Sequence, residues 1–366
     1  LAQWAIVPVN EPSILKQIPR YLIDPMSPLF LKWRYLPWLT PWLIKFLRNA
    51  NSSDSQRTIE ALIPLVSDSV QQHKRLTEGT SAANWIADSK FSYAYRSLAD
   101  FQKDSFSWEC KKKAGMVPEI FTGKQVQEIE PICGSVIDCL AVLSGQGHII
   151  NPQGYITELM KIFYHNGGKF INAKVKDFGF HNEKIHVVFT DNGKFECDKV
   201  VITAGIWSKN LMQKLGLKIP LEAERGYHVV YKNASILPRN PMMMTVGKFG
   251  VTPMKGDLRC AGTVELGGIK IGPSQGPIKL LRRRVAEAFP KMTYDKTEEW
   301  LGFRPTAPDS LPLIGQLKES GVYTAFGHQH IGMTSGPKTG RLISDIINYR
   351  SPNINMSFYD PNRFNS

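Results

Sequence analysis

The segment from Val322 to Ile347, VYTAFGHQHIGMTSGPKTGRLISDII, constrains the fold of this chain more than any other. A short β-type run leads through a glycine-rich loop, 327–340, into an amphipathic helix. Backbone N–H groups at a helix start lack intrahelical partners and carry partial positive charge, so such a junction suits an anionic or electron-rich ligand. Four glycines would let the backbone approach that ligand closely: Gly327, Gly332, Gly336 and Gly340. A glycine-rich turn that only closes a domain is the alternative.

The chain length and the order of the periodic patterns predict two domains. The 366 residues exceed the size at which a single hydrophobic core usually stops growing. Helix and strand patterns alternate before and after a stretch of strand-like runs separated by short turns, which predicts an α/β domain interrupted by an antiparallel sheet. We expect the α/β domain to comprise 1–90, 146–220 and 296–350, the inserted α+β domain to comprise 91–145 and 221–295, and 351–366 to form a tail.

Local patterns predict several individual elements. Apolar residues at helical spacing predict a helix over 56–77. Pro152 near a helix start and the Gly167-Gly168 stop predict a second helix between them. The following residues predict strands at 169–173, 175–180, 184–189 and 199–203.

Residues 29–47 combine tryptophans with basic residues. Pro37 and Pro41 interrupt the segment, and its length and charge exclude a transmembrane helix. An aromatic and basic pattern is typical of segments that lie on a bilayer surface. Two short helices packed on the core or beside a substrate entrance are the other interpretation.

The charge and the cysteines restrict the class of partner and the compartment. The formal net charge is +13, but the densest basic runs, 111–113 and 282–284, have only three members, which argues against nucleic-acid binding. The five cysteines include no CxxC pair, so the sequence predicts neither a disulfide framework nor a zinc site. We expect a cytoplasmic protein, with peripheral contact at the inner face of the membrane as an extension of that expectation.

Three segments together resemble a known family: VVITAGIWSKNL, EEWLGFRPTAPDSLPLIG and FGHQHIGMTSGPKTGRLISDII. In this order and at these separations they resemble the FAD-dependent D-amino-acid oxidase superfamily, and most closely the small subunits of D-amino-acid dehydrogenases. The resemblance implies a discontinuous Rossmann-like FAD-binding domain with an inserted α+β substrate domain. The family opens with a strand, a GxGxxG loop and a helix that anchor the diphosphate, and this sequence has none of them. The chain therefore resembles a family member without its first βαβ element.

The resemblance also implies where FAD is held. The loop matching Gly327 to Thr334 wraps the flavin ring, and the following helix start points at its pyrimidine edge. Reduced flavin gathers negative charge near N1 and O2, which N–H donors and the helix dipole stabilise. The implied cofactor-binding residues are Leu1, Ala2, Val175, Ala204, Gly205, Gly327, His328, Ile331, Gly332, Met333 and Thr334. The pair His328 and His330 has no nearby carboxylates, so a metal site is not predicted.

Three residues are expected to contact the substrate. Arg304 matches the arginine that clamps the substrate carboxylate in the family, a role suited to a guanidinium fork. A structural ion pair with Asp309 is the alternative. Tyr227 is expected to donate a phenolic hydrogen bond to the carboxylate, and His228 to line the pocket. Each of these two residues could instead be an ordinary strand residue.

The implied activity is oxidation of a D-amino acid, with hydride transfer to flavin N5 giving a 2-oxo acid and ammonia. Electrons then pass to a quinone or to O₂. Positioning carries much of the rate in such a reaction, and the sequence shows no Ser-His-Asp or paired-carboxylate pattern that would favour hydrolysis. A glycine or sarcosine-type amine oxidase and a non-catalytic flavoprotein remnant are the alternatives.

Overall fold

The computed structural model describes residues 1–14, 27–134 and 136–364. The α-helices within them are α1 Leu36–Arg48, α2 Ser52–Val66, α3 Ser69–Thr77, α4 Leu98–Lys103, α5 Ser105–Lys113, α6 Lys124–Ile129, α7 Pro152–His165, α8 Ser208–Lys214, α9 Gln275–Ala288 and α10 Gly332–Ile347. The strands are β1 Leu29–Leu31, β2 Ile86–Tyr95, β3 Glu119–Thr122, β4 Cys139–Ile149, β5 Val175–His181, β6 Lys184–Thr190, β7 Gly193–Glu196, β8 Val200–Ile202, β9 Glu222–Lys232, β10 Met242–Met244, β11 Phe249–Pro253, β12 Leu258–Leu266, β13 Lys296–Thr306, β14 Leu313–Gln316 and β15 Val322–Phe326.

The largest sheet has the strand order β13-β9-β12-β11-β10-β2-β4-β3, with β1 paired to β12. Most of its neighbours are antiparallel, as the run of strand-like segments predicts. One face carries the apolar side chains that α9 covers, with Leu281 and Val285 packed in the same core as Val229 and Cys260. The opposite face of β9, β12 and β13 is left to hold polar groups, because alternate residues of a strand point to opposite faces.

Strands β14, β15 and β8 form a smaller sheet, and α10 follows β15 along the chain. Strand β15 runs parallel to β8 and antiparallel to β14. Helix α10 buries Leu342 and Ile343 in a core shared with Ile59 and Leu62 of α2. Strands β5, β6 and β7 form a separate antiparallel sheet, which confirms the strands predicted at 175–180 and 184–189. The domain boundaries given above stay a prediction.

The structure corrects the predicted extent of the glycine-rich loop. Helix α10 begins at Gly332, so Gly336, Pro337 and Gly340 lie inside the helix rather than in the loop. Pro337 falls in the second turn, where its ring costs one hydrogen bond, the one to the carbonyl of Met333 four residues earlier. Tertiary packing of the apolar face outweighs the low helix propensity of these residues.

Other local predictions need correction as well. Residues 36–48 form one helix, α1, in place of the two short helices considered above, and it includes both Pro37 and Pro41. Pro37 is tolerated because it lies at the helix start, where its missing N–H would have no intrahelical partner. The helix predicted over 56–77 is divided into α2 and α3. Residues 169–173 form no strand. None of the helices in the described residues is both long and apolar enough to cross a bilayer.

Candidate cofactor and substrate sites

A cavity of about 760 Å³ lies between α3, α7 and the first half of α10. Its walls include apolar side chains such as Leu76 and Leu159, and the glycines of α10. A β-carbon built on Gly336 or Gly340 would meet no atom within 4 Å, so the backbone of this helix face is open to the cavity. An apolar cavity bounded by exposed backbone suits a flat aromatic ligand.

The start of α10 presents unpaired donors at the same place. Ile331 stands at the N-cap position and gives no side-chain hydrogen bond, so the first N–H groups of the helix are left for another acceptor. Gly332 and Met333 line the cavity. The hydroxyl of Thr334 accepts a hydrogen bond of 3.1 Å from the backbone N–H of Ala2, which fixes the first turn against the beginning of the chain. The positive end of the helix dipole therefore borders the cavity.

His73 of α3 is a site residue that the sequence did not reveal. It is 1% exposed, and its Nε2 lies 2.8 Å from the carbonyl oxygen of Met333, the group that Pro337 leaves without an intrahelical donor. A carbonyl only accepts, so Nε2 carries the proton and Nδ1 accepts from the hydroxyl of Tyr155, at 2.7 Å. Burial lowers the pKa of His73 to about 4, which keeps the ring neutral. In the sequence, only Pro337 indicates that the carbonyl of Met333 needs a hydrogen-bond donor from outside the helix, because proline has no N–H.

A second cavity, of about 220 Å³, lies on the polar face of the large sheet. Gly332 and Met333 line both cavities, so the start of α10 separates the two. The lining of the smaller cavity includes Gly226, Tyr227, His228, Arg259, Trp300, Arg304, Gln329 and His330. The structure thus brings Arg304 and His228, both predicted for substrate contact, to one place beside the predicted flavin loop.

Arg304 lies on β13 opposite Glu224 of β9, whose negative charge favours the charged guanidinium. Its guanidinium passes over Gly226, where a β-carbon would be 2.5 Å from Arg304 Cζ. The alternative ion pair with Asp309 is wrong, because Asp309 binds Arg363 with an Nε–Oδ2 distance of 2.7 Å. Arg304 lines the smaller cavity and has no ion pair within 4.0 Å among the described residues.

His228 forms a side wall of the cavity. Its ring stacks on the indole of Trp300 with a centroid distance of 4.9 Å and an interplanar angle of 20°. Its Nδ1 lies 3.1 Å from Nη2 of Arg259, and a guanidinium only donates, so Nδ1 is the acceptor. Burial, with the neighbouring charges of Arg259 and Arg304, lowers the pKa of His228 to about 3. The ring is a neutral wall rather than a charged ligand.

Tyr227 is among the lining residues, but its side chain points to the opposite face of the sheet, because it alternates with Gly226 and His228 along β9. Its hydroxyl donates to Oε2 of Glu265 at 2.7 Å and accepts from the backbone N–H of Ser274 at 3.1 Å. Arg225, with no exposed side-chain surface, binds the same carboxylate at 2.7 Å. The structure therefore gives the Tyr227 hydroxyl structural partners in place of the predicted substrate carboxylate.

The other predicted cofactor residues divide into two groups. Gly327 has a φ of +87° and His328 bonds Thr339 at 3.0 Å, so both shape the loop before α10. Val175 begins β5, and Ala204 and Gly205 follow β8; none of these three lines either cavity. The terminal amino group of Leu1 donates to the carbonyl of Gly147 at 2.6 Å. Among the described residues, no group of three or more His, Cys, Asp or Glu side chains is placed to hold a metal ion.

The fold is mixed α/β, and its two cavities meet where the large sheet lies beside the start of α10. The solved structure of glycine oxidase from Bacillus cereus has this fold: it aligns with 80% of this chain and 82% of its own, with a TM-score of 0.69 and 23% identity. Residues 32–346 match the family described as FAD dependent oxidoreductase, and the chain belongs to that family.

Two relatives match nearly the whole sequence. A D-amino-acid oxidase from Bradyrhizobium diazoefficiens is 32% identical over 100% of this chain and 88% of its own. A D-amino acid dehydrogenase from Paramagnetospirillum magneticum is 26% identical over 98% and 87%. The predicted superfamily, the mixed α/β fold and the FAD cofactor are confirmed. The apolar cavity and the unpaired helix start fit the ring of that cofactor.

Proposed function

We propose that this flavoprotein oxidises a D-amino acid to the imino acid, which water converts to a 2-oxo acid and ammonia. One observation carries the proposal: Arg304, a guanidinium without a direct carboxylate partner among the described residues, lines the smaller cavity, here called the substrate cavity. This cavity shares Gly332 and Met333 with the larger one, which we assign to the flavin ring and call the cofactor-side cavity. A carboxylate bound to Arg304 would place the neighbouring Cα close to the start of α10. FAD, when bound, supplies the acceptor for the hydride from that carbon.

The chain itself contributes orientation and the exclusion of water. Arg304 binds the carboxylate through two parallel N–H donors, which fixes both position and direction. Trp300 and the neutral His228 ring form a flat wall beside it. His73 holds the carbonyl of Met333 and so keeps the first turn of α10 in place, with its N–H groups unpaired for the flavin pyrimidine edge. The mechanism requires no acid or base side chain.

Anaerobic mixing of the purified holoprotein with D-amino acids tests the proposal. We expect each productive D-amino acid to bleach the flavin absorbance, and the L-enantiomers to have little effect. Equal bleaching of the flavin by glycine, sarcosine or L-amino acids would show that the enzyme is not specific for D-amino acids. A colourless protein that added FAD does not restore would favour a non-catalytic remnant.

The electron acceptor and a membrane contact belong to the same proposal. Trp33 is 62% exposed and Trp38 is 71% exposed, on a surface with Arg34 and Lys45, which is the composition of an interfacial segment. We therefore expect a quinone to accept the electrons at the membrane surface. Reoxidation by O₂ as fast as by a soluble quinone analogue would indicate an oxidase instead. Co-sedimentation with anionic vesicles, compared with a Trp33→Ser and Trp38→Ser double variant, tests the surface contact.

A further inference from the structure

A second guanidinium, that of Arg259, lines the substrate cavity next to Arg304. Both residues lie on the same face of the large sheet, and the charge of Arg304 acts on Arg259 at close range. Within the described ranges, the Arg259 side chain donates a single hydrogen bond, to the neutral His228 ring at 3.1 Å. Since that ring carries no negative charge, it does not neutralise Arg259.

The charges around the cavity are unbalanced. No lining residue in the described part of the chain is acidic, and neither guanidinium forms a direct ion pair there. Glu224 faces Arg304 from the paired strand and stands outside the cavity lining. Both guanidinium groups are half-buried. Holding a partly desolvated cation without a directly bound anion is costly, so this site favours ligands that supply anions.

Gln329 lines the same cavity. Its side chain is 8% exposed, and its Nε2 has no hydrogen-bond partner among the described residues. The residue is held at a φ of +48°, a conformation uncommon for a residue other than glycine, while its backbone N–H donates to the carbonyl of Pro305 at 3.2 Å. A buried donor left unpaired is costly, and a ligand oxygen that reached it would recover that cost.

We propose that the substrate of this enzyme carries two carboxylates, the first bound by Arg304 and the second by Arg259 with the amide of Gln329. This inference rests on the proposed function and specifies its substrate class as an acidic D-amino acid. A monocarboxylate would satisfy Arg304 and leave Arg259 and Gln329 unpaired. The neutral amide of the same shape would bring a further set of N–H donors towards the guanidinium, so the cavity discriminates by charge rather than by size.

The test compares D-aspartate with D-asparagine, and D-glutamate with D-glutamine, on the FAD-loaded enzyme. We expect kcat/KM to be at least about tenfold higher for each acid than for its amide, since a charged pair is worth about 1.5–3 kcal/mol. Arg259→Met should lower kcat/KM about 30-fold or more for the acids and less than about threefold for the amides. Arg259→Lys, which keeps the charge, should fall between the wild type and Arg259→Met.

The matched control is Arg283→Met, which removes the same charge from an exposed helix position where the side chain pairs with Glu287. It should leave both substrate classes unchanged. Calorimetry gives a readout besides turnover: malonate should bind to the wild-type protein more tightly than acetate, and Arg259→Met should abolish that difference. N-carboxymethylglycine carries its second carboxylate on nitrogen, so it tests whether that group must be on the side chain. If it is turned over faster than D-aspartate, the proposal of an acidic D-amino acid as substrate is overturned.

Equal kcat/KM for acids and amides, or an equal loss for both in Arg259→Met, would overturn the inference. Rapid turnover of neutral D-amino acids with no turnover of acidic ones would overturn it while leaving the proposed function intact. If no D-amino acid of either kind reduces the flavin, the proposed function itself fails.

Discussion

The guanidinium of Arg304 occupies the space over Gly226 that a β-carbon would take, with 2.5 Å between the built Cβ and Arg304 Cζ. The two residues belong to neighbouring strands, where Gly226 pairs with Gly302. Glycine at this position therefore leaves room for the observed placement of the Arg304 guanidinium. Its role follows from the close approach of a side chain and not from its backbone angles.

Gly226→Ala is expected to raise KM about 10-fold to 100-fold while the protein stays folded. The added methyl displaces the far end of a flexible side chain, and loss of a charge-assisted hydrogen bond costs about 1.5–3 kcal/mol. Steady-state kinetics with thermal unfolding measures both effects. The matched control is Gly250→Ala in β11, where the nearest atom to the built Cβ is 3.6 Å away. An unchanged KM in Gly226→Ala would contradict the placement of Arg304.

Arg304→Ala is expected to raise KM strongly, about 100-fold, and to leave the flavin content intact. The reason is that Arg304 lines the smaller cavity and is absent from the lining of the cofactor-side cavity. Flavin absorbance per protein and the KM of the loaded enzyme are the two measurements. Arg304→Lys should recover part of the loss, since it keeps the charge without the fork. A wild-type KM in a flavin-loaded Arg304→Ala variant would show that Arg304 does not bind the substrate.

Tyr227→Phe should destabilise the fold by about 1–3 kcal/mol, because it strips a buried hydroxyl from Glu265, Ser274 and Arg225. KM should stay within about twofold of the wild-type value, since the hydroxyl points away from the cavity. Urea unfolding and steady-state kinetics separate the two roles. A raised KM at unchanged stability would indicate instead that the Tyr227 hydroxyl binds the substrate carboxylate.

Stability should fall as the pH drops through the range from 6.5 towards 4, partly through His73. Burial lowers the pKa of His73 in the folded protein to about 4, below its ordinary value of about 6.5, so in this range the unfolded chain binds more protons and acid favours unfolding. His73→Gln should flatten the slope by up to about 1.4 kcal/mol per pH unit, the effect of one proton. Other buried histidines, such as His328, contribute equally to both proteins. Parallel curves for the two proteins would contradict this role of His73.

Gly336→Leu should reduce the FAD content of the purified protein without destabilising the apoprotein. The side chain would extend into open space at the cofactor-side cavity, and replacing glycine in a helix interior gains about 0.5–1 kcal/mol. Flavin absorbance and apoprotein unfolding test the two parts. Gly336→Ala is the comparison, with the same gain in propensity and a much smaller intrusion. Full FAD content in Gly336→Leu would place the cofactor elsewhere.

The junction of β15 and α10 shows which element bounds the local sequence pattern predicted correctly and which it did not. The strand at Val322–Phe326 was predicted with its observed bounds, because a buried β-type run followed by glycine is a local signal. The helix start was placed too late, since Gly336 and Pro337 oppose helix formation locally and only packing of Leu342 and Ile343 outweighs them. The loop residues next to the cavities were nevertheless identified.

The sequence by itself determined the family and many of the individual elements, and it made Arg304 a candidate for the site, since periodicity, turn residues and motif spacing are all properties of neighbouring positions. Only the tertiary structure decided that Arg259 joins Arg304, that Gly226 makes room for it, and that His73 binds the carbonyl of Met333. Those contacts join residues far apart in the chain and depend on strand register and helix packing. A shift of register by one residue would turn every side chain of a strand to its opposite face, and local pattern does not specify that choice across distant strands.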